Sequence, residues 1–340
     1  MTLSIAAAGI VSAVGFNGAA SLAALRAGIS GVAAEPLWDV EAGAYLRAAR
    51  VDLPQWWEGL GKLVELAAPA IGECLEAALP ADPRQVPVLL CTAAEGRVDR
   101  LEGAPDDVLR AIGARLNLRL HDASRTIARD QAAVGVALLL ASQLLEHQAV
   151  PCCVIAGVDS YLRQPVVDGY VEMRRVMTAS NSNGFFPGEA GSAVLVRRSG
   201  ESGGAELQLL GVGLAQESAT IESENPLQAL GLAEAVRQAL AQANLAFHEV
   251  DYRITDLNGE HYKFKEAALL VGRLMRKRKE ERFELWHPIE SLGEIGAAIG
   301  PVVLARAWHA ARERYAPGPT VLCHFGSDAG KRAAAVLRYS

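Results

Sequence analysis

The sequence predicts a layered α/β fold. Strand-like apolar runs alternate with segments of helical period along all 340 residues. A polar, glycine-rich stretch, Arg197-Arg-Ser-Gly-Glu-Ser-Gly-Gly204, then interrupts the chain. The part after it repeats the element order of the part before it, with little shared sequence, as in a structural repeat. Two halves are therefore expected, over residues 1–200 and 205–340. An apolar content of 51% suffices to bury one large core or two fused ones.

Each element has a local reason. A strand at Leu3–Val11 leads to a small-residue helix at Ala19–Ala27. Lys62–Leu79 has helical period, and Val86–Cys91 is a short buried strand. The helix Ala132–Gln148 joins the strand Cys152–Gly157, whose uninterrupted apolar run suits a strand covered on both faces. Asn181-Ser-Asn-Gly184 is turn chemistry, which suggests a hairpin over Met173–Val196. In the second half a strand at Glu206–Leu214 precedes a helix at Pro226–Ala243, with Asn225 placed to cap it. A strand at Val250–Leu257, helices at Tyr262–Lys279 and Glu294–Arg312, and strands at Thr320–His324 and Ala333–Arg338 complete the plan.

Composition removes several function classes. A net charge of −6 offers no field for phosphate backbones or anionic lipid, so no nucleic-acid partner is expected. The one basic run, Arg273-Leu-Met-Arg-Lys-Arg-Lys279, meets Glu280 and Glu281 at once and reads as a solvated helix end. The apolar stretches are broken by Gln131, Gln143 and Glu146 before spanning length, and the N-terminus lacks a secretory pattern, so no membrane insertion and a cytoplasmic location are expected. Five cysteines without zinc spacing read as reduced, buried thiols. His287 and His324, beside Glu294 or Asp328, lack a metal-ligand spacing, and neither a metal nor a cofactor is expected. Trp56-Trp57 and Trp286-His-Pro288 read as loops anchored on the core or, if exposed, as contact points.

Five motifs, in order along the chain, resemble those of β-ketoacyl synthases. They are Gly9-Ile-Val-Ser-Ala-Val-Gly15 with Leu25-Arg-Ala-Gly-Ile-Ser-Gly31, Asp130 to Leu145, Cys153-Val-Ile-Ala-Gly-Val-Asp159, Gly184-Phe-Phe-Pro-Gly-Glu-Ala-Gly-Ser-Ala193, and Val321-Leu-Cys-His-Phe-Gly326. The resemblance implies a thiolase-like fold of five layers, αβαβα, from two fused halves. It also implies a homodimer whose seam runs through Cys152, Cys153, Val154 and Ile155.

The departures from that family fall on its chemistry. Val136-Ala-Leu-Leu-Leu-Ala141 sets a register that places Gln131 on the family's catalytic cysteine, and an amide is no nucleophile. A slip of one residue would place Ala132 there instead. In Asp256-Leu-Asn-Gly-Glu-His-Tyr262, Asn258 falls on the first catalytic histidine, and Glu260 and Tyr262 fall on two pantetheine-binding threonines. In Ile289-Glu-Ser-Leu-Gly-Glu294, Glu294 falls on the second histidine. Phe325-Gly-Ser-Asp-Ala-Gly330 replaces the oxyanion-hole loop and adds Asp328, a carboxylate that opposes a stabilisation worth roughly 3–4 kcal/mol. Asp256, Asn258, Glu260, His261 and Glu294 are expected to converge at one pocket, with His324 and Asp328 beside it, either as an acid–base set or as polar groups that satisfy one another.

The resulting expectation is a catalytically degenerate synthase-like protein that binds a partner as scaffold or adaptor. Asp251-Tyr-Arg-Ile-Thr-Asp-Leu-Asn-Gly-Glu-His261 and Phe283-Glu-Leu-Trp-His-Pro288 resemble a short synthase-like group found beside type VI secretion genes, which implies a secretion or effector partner. The alternative is a non-condensing enzyme, or a chain-length-factor-like partner, acting on acyl carrier protein or coenzyme A thioesters. Some family members with glutamine at the cysteine position decarboxylate or shape chain length, which favours that alternative. Glu260 at a pantetheine threonine argues against it.

Overall fold

Strand order repeats across the middle of the chain. The computed structural model describes residues 2–40, 42–55, 57–98, 100, 105–147, 150–201 and 203–340; Trp56 and Gln148 lie outside them. The first half contributes β1 (Leu3–Ser12), β4 (Val88–Thr92), β5 (Arg125–Ala128), β6 (Cys152–Ser160) and β7 (Glu189–Arg198) to one ten-stranded sheet. The second contributes β8 (Leu207–Gln216), β9 (Tyr252–Thr255), β10 (Leu285–Trp286), β11 (Thr320–Gly326) and β12 (Lys331–Tyr339). Counted within its own half, each set lies in the order third, second, fourth, fifth, first. The fifth strand, β7 or β12, runs antiparallel to both neighbours. The sets meet where β1 pairs antiparallel with β8, at Leu3–Leu209, Ser4–Gln208 and Ile5–Leu207. A separate hairpin, β2 (Ala33–Asp39) and β3 (Ala44–Ala48), stands off the main sheet.

Helices complete the expected layering. The apolar α4 (Ala133–His147) and α9 (Ile299–Arg312) pack on strands of both halves and form the central layer. On the outer face of the first half, α2 (Gly59–Ala77) covers β1, β6 and β7, flanked by α3 (Pro105–Arg115). On the second, α6 (Leu230–Ala243) covers β8 and β12, flanked by α7 (His261–Leu274). The short helices α1 (Gly18–Ala27), α5 (Gln164–Glu172) and α8 (Ile289–Leu292) connect these layers. Among the described residues no helix is long and apolar enough to cross a membrane. All five cysteines are buried free thiols.

Several sequence expectations need correction. No hairpin spans Met173–Val196: β7 pairs with β1 and β6, and the preceding residues form α5 and a loop that bridges β7's approach at Val176 and Phe185. Asn225 does not cap α6, which starts at Leu230 after Ala229 turns left-handed at φ +53°. The buried Glu217 carboxylate instead takes the Gly231 N–H at 2.8 Å, answering the free donors of that helix end. Helix α7 stops at Leu274, before the crowded charges of the basic run. The helix expected from Glu294 opens instead as a 3-10 turn at Gly296–Ala298. Trp286 packs on the Tyr252 ring at 4.9 Å and is anchored on the body of the protein, whereas Trp57 is exposed beside Gly61.

The dimer seam also needs correction. Cys152, Cys153, Val154 and Ile155 lie in β6, which is hydrogen-bonded to β4 on one side and β7 on the other. A strand with both edges occupied leaves no edge for a second copy; the outer strand of this half is β5. Val154→Asp therefore reports on folding and not on assembly. Val154 is fully buried, and a lone carboxylate there has no partner. The variant is expected in the insoluble fraction after expression. A soluble, folded monomer would contradict this placement.

Candidate functional site

Four sequence-selected residues meet between the two halves. Gln131 sits in a 3-10 turn, Asp130–Ala132, that leads into α4 at the exit of β5. Asn258 and Glu260 lie in the loop after β9, and Glu294 follows Gly293, whose φ of +69° turns the chain inward. Gln131 Nε2 donates to Glu294 Oε1 at 3.1 Å, and the Gly296 N–H donates to the same oxygen at 2.9 Å. Asn258 Nδ2 donates to Glu294 Oε2 at 2.7 Å and to Glu260 Oε2 at 3.0 Å. All four side chains are buried. Burial raises the Glu294 pKa; Lys263, Asn258 and the Gly296 N–H oppose the rise without cancelling it.

An arginine closes the constellation. Arg175, in the loop after α5, donates through Nε and Nη2 to Glu260 at 2.7 and 3.0 Å. Through Nη1 and Nη2 it also reaches Asp328 at 2.8 and 3.0 Å. These fork-to-fork contacts suit a planar guanidinium. Burial alone would lift the Asp328 pKa, but Arg175 outweighs it and holds the carboxyl below its ordinary value. The Asp328 charge is thus answered within the protein. The result is a continuous polar chain, Gln131–Glu294–Asn258–Glu260–Arg175–Asp328, with members from both halves.

Asp256 belongs to a neighbouring pair. Its Oδ2 accepts from Lys263 Nζ at 2.9 Å and from the Gly326 N–H at 3.0 Å. A backbone donor of the loop expected to serve an oxyanion is therefore already committed to a carboxylate. Burial would lower the Lys263 pKa, yet Asp256, then Glu294, keep it raised and the ammonium charged. His324 is buried on β11 with Nδ1 3.2 Å from Thr255 Oγ1. Burial, then Arg253, pushes its pKa down to about 3, so the imidazole is neutral. His261 does not join the others: its side chain is exposed at the start of α7, and only its backbone N–H is held, by Asn183.

The chemistry this arrangement permits is narrow. Gln131 and Asn258 bring amides and Glu294 a carboxylate, and the Cys91 and Cys323 thiols are buried with raised pKa values. The void beside Asp256, His324 and Asp328 is about 20 Å³, room for one water. Among the described residues no group of three or more His, Cys, Asp or Glu side chains is placed to hold a metal ion. Sequence reasoning missed Arg175, Lys263 and the ion pair between Arg97 and Asp159 that borders the turn at Gln131. Two glycines fit that border. A Cβ on Gly157 would stand 2.5 Å from Ala297 O, and one on Gly296 would strike the Asp159 carboxylate.

No family model matches this sequence, and no curated protein matches it. Solved structures do match it in shape. One is a chain of the AntDE:AntF complex, described as a type II polyketide synthase acyl-carrier protein in complex with its ketosynthase bound to the hexaketide. It has a TM-score of 0.82 at 13% identity over 99% of both chains. Another is the ketosynthase ApeO in complex with its chain length factor ApeC from Xenorhabdus doucetiae, at 0.80 and 15% over 100% of this chain and 98% of that one. A third, the ishigamide ketosynthase/chain length factor, reaches 0.77 and 16% over 99% and 98%. The fold is thus the thiolase-like fold that these ketosynthase and chain-length-factor structures have.

Proposed function

We propose that this chain is a non-condensing binding protein on a ketosynthase fold, whose former reaction centre now holds the two halves in register. The observation that carries this reading is the polar chain from Gln131 to Asp328. It fills the place of a nucleophile and its bases with groups bonded to one another, Gln131 Oε1 alone among these side chains lacking a partner. Condensation needs an acylated nucleophile and donors around an enolate oxygen. In this site the donors of Gln131 and Asn258 already serve carboxylates.

The partner is a protein, either an acyl carrier protein or ketosynthase, or a component of a secretion system. Full-length ketosynthase-fold chains in complexes with chain length factors favour the first. The secretion partner rests on the sequence resemblance. We place the protein as a homodimer with no seam through β6. A pull-down from the native organism, read by mass spectrometry, separates the partners. Acyl carrier proteins or ketosynthases in the eluate support a chain-length-factor-like role, and secretion components support the adaptor.

The chemical half of the reading has its own test. Incubated with cerulenin or an acyl thioester, the protein should keep its intact mass. Gln131→Cys should not gain condensation, because Asn258 and Glu294 cannot act as the two histidines. Stoichiometric acylation of the wild type, mapped to the Asp130–Ala132 turn, would sink the proposal.

A further inference from the structure

Outside the site just described, a second cavity opens in the first half. It measures about 780 Å³, within the range that holds small organic ligands. The carboxyl ends of β4 and β6, the start of α2, α3, α5 and the β2–β3 hairpin enclose it. Gln131, Asn258 and Glu294 are not part of its wall. Arg97 closes that side, paired with Asp159 and stacked 4.6 Å over the Tyr161 ring.

The wall combines an aliphatic part with charged side chains of both signs, the carboxylates being Glu58, Asp107 and Asp159. Leu37, Leu63, Val108, Leu162 and Val166 make it aliphatic. Four of its five cations are engaged: Arg50 by Glu35 at 2.6 Å, Lys62 by Glu189 at 2.9 Å, Arg97 by Asp159, and Arg163 as well. Arg100 is different. It is half-buried in the same wall and has no carboxylate at ion-pair distance among the described residues. Lysine and arginine charges removed from water are normally paired, and a guanidinium presents a fork that matches a carboxylate. Two further atoms of wall residues, Thr92 Oγ1 and Arg97 Nε, have no hydrogen-bond partner among the described residues.

We infer that this cavity is a binding site for a free carboxylate with an aliphatic body, its head group on Arg100 and its chain along the leucine and valine wall. A monoanion fits better than a phosphate because, among the described residues, one uncommitted guanidinium faces the space. The inference does not depend on the non-condensing reading, since no residue of the polar chain takes part.

Titration calorimetry on the full chain with decanoate tests it, and decanol serves as the neutral probe of equal length. Decanoate should bind saturably at one site, with decanol weaker by roughly tenfold or more, the usual worth of a charge-assisted hydrogen bond. Arg100→Gln should remove that difference without moving the thermal midpoint. Leu63→Trp, which fills the cavity, should abolish binding of both. Absence of saturable decanoate binding, equal affinity for decanol, or full decanoate affinity in Arg100→Gln would each overturn the assignment.

Discussion

Replacing Arg175 with methionine should cost roughly 3–5 kcal/mol of folding stability, the loss expected when one partner of a buried ion pair is removed. Arg175 is the only cation bonded to either Glu260 or Asp328 among the described residues, and its four donated bonds vanish together. Methionine keeps much of the volume, so the deficit comes from stranded charge and not from a cavity. Thermal or urea unfolding measures it. The double variant Arg175→Met, Glu260→Gln should recover part of the loss, because one stranded charge is then gone. The pH dependence has a definite sign. Asp328 titrates below its ordinary 3.8 in the folded wild type. It therefore contributes stability above that pH, and the contribution fades as pH falls through the depressed value. The gap between variant and wild type should narrow in acid. A loss below about 1 kcal/mol at neutral pH would mean the constellation is not a structural unit.

Asp130→Asn should act in the opposite direction. Asp130 opens the turn that carries Gln131, adopts φ +48°, and accepts the Ala94 N–H at 2.7 Å. Burial raises its pKa to about 6 from 3.8, although Arg97 and that N–H pull it down. A raised carboxyl contributes fully below its ordinary value, and the contribution is lost as pH rises through about 6. At about 1.4 kcal/mol per unit, the ionised group weakens the fold by up to about 3 kcal/mol at pH 7.5. Asparagine keeps the acceptor, is at ease in the left-handed region and carries no charge. The variant should be more stable than wild type at pH 7.5 and about equal at pH 4. A variant weaker than wild type at pH 7.5 would show that Arg97 needs this carboxylate.

The sequence made some of this readable and hid the rest for definite reasons. The Val136–Ala141 register and the two altered histidine motifs pointed to Gln131, Asn258 and Glu294, which do meet through the Glu294 carboxylate. Strand periodicity located nearly every long strand because buried strands are written as continuous apolar runs. Arg175 was invisible: it lies in a polar loop 85 positions from Glu260, and nothing local distinguishes it from Arg174 beside it. Glu217 was missed for the same reason, since a cap supplied from 14 positions away leaves no N-cap motif. His261 misled because a motif register fixes backbone positions but not the direction of a side chain at a helix start. The seam at β6 misled because an apolar run tells that a strand is covered, not what covers it.

The polar chain draws Gln131 and Arg175 from one half and Asn258, Glu260, Glu294 and Asp328 from the other, with each member bonded to the next. That mutual commitment works as a ratchet. A cysteine at 131 takes a donor from Glu294. A histidine at 258 gives up the bonds that Asn258 donates to Glu260 and Glu294, and one at 294 removes the carboxylate that Gln131 and Asn258 share. On the proposed reading, every single-residue step toward a cysteine and two histidines gives up bonds of this polar chain. On that proposal, a condensing site lies several simultaneous changes away.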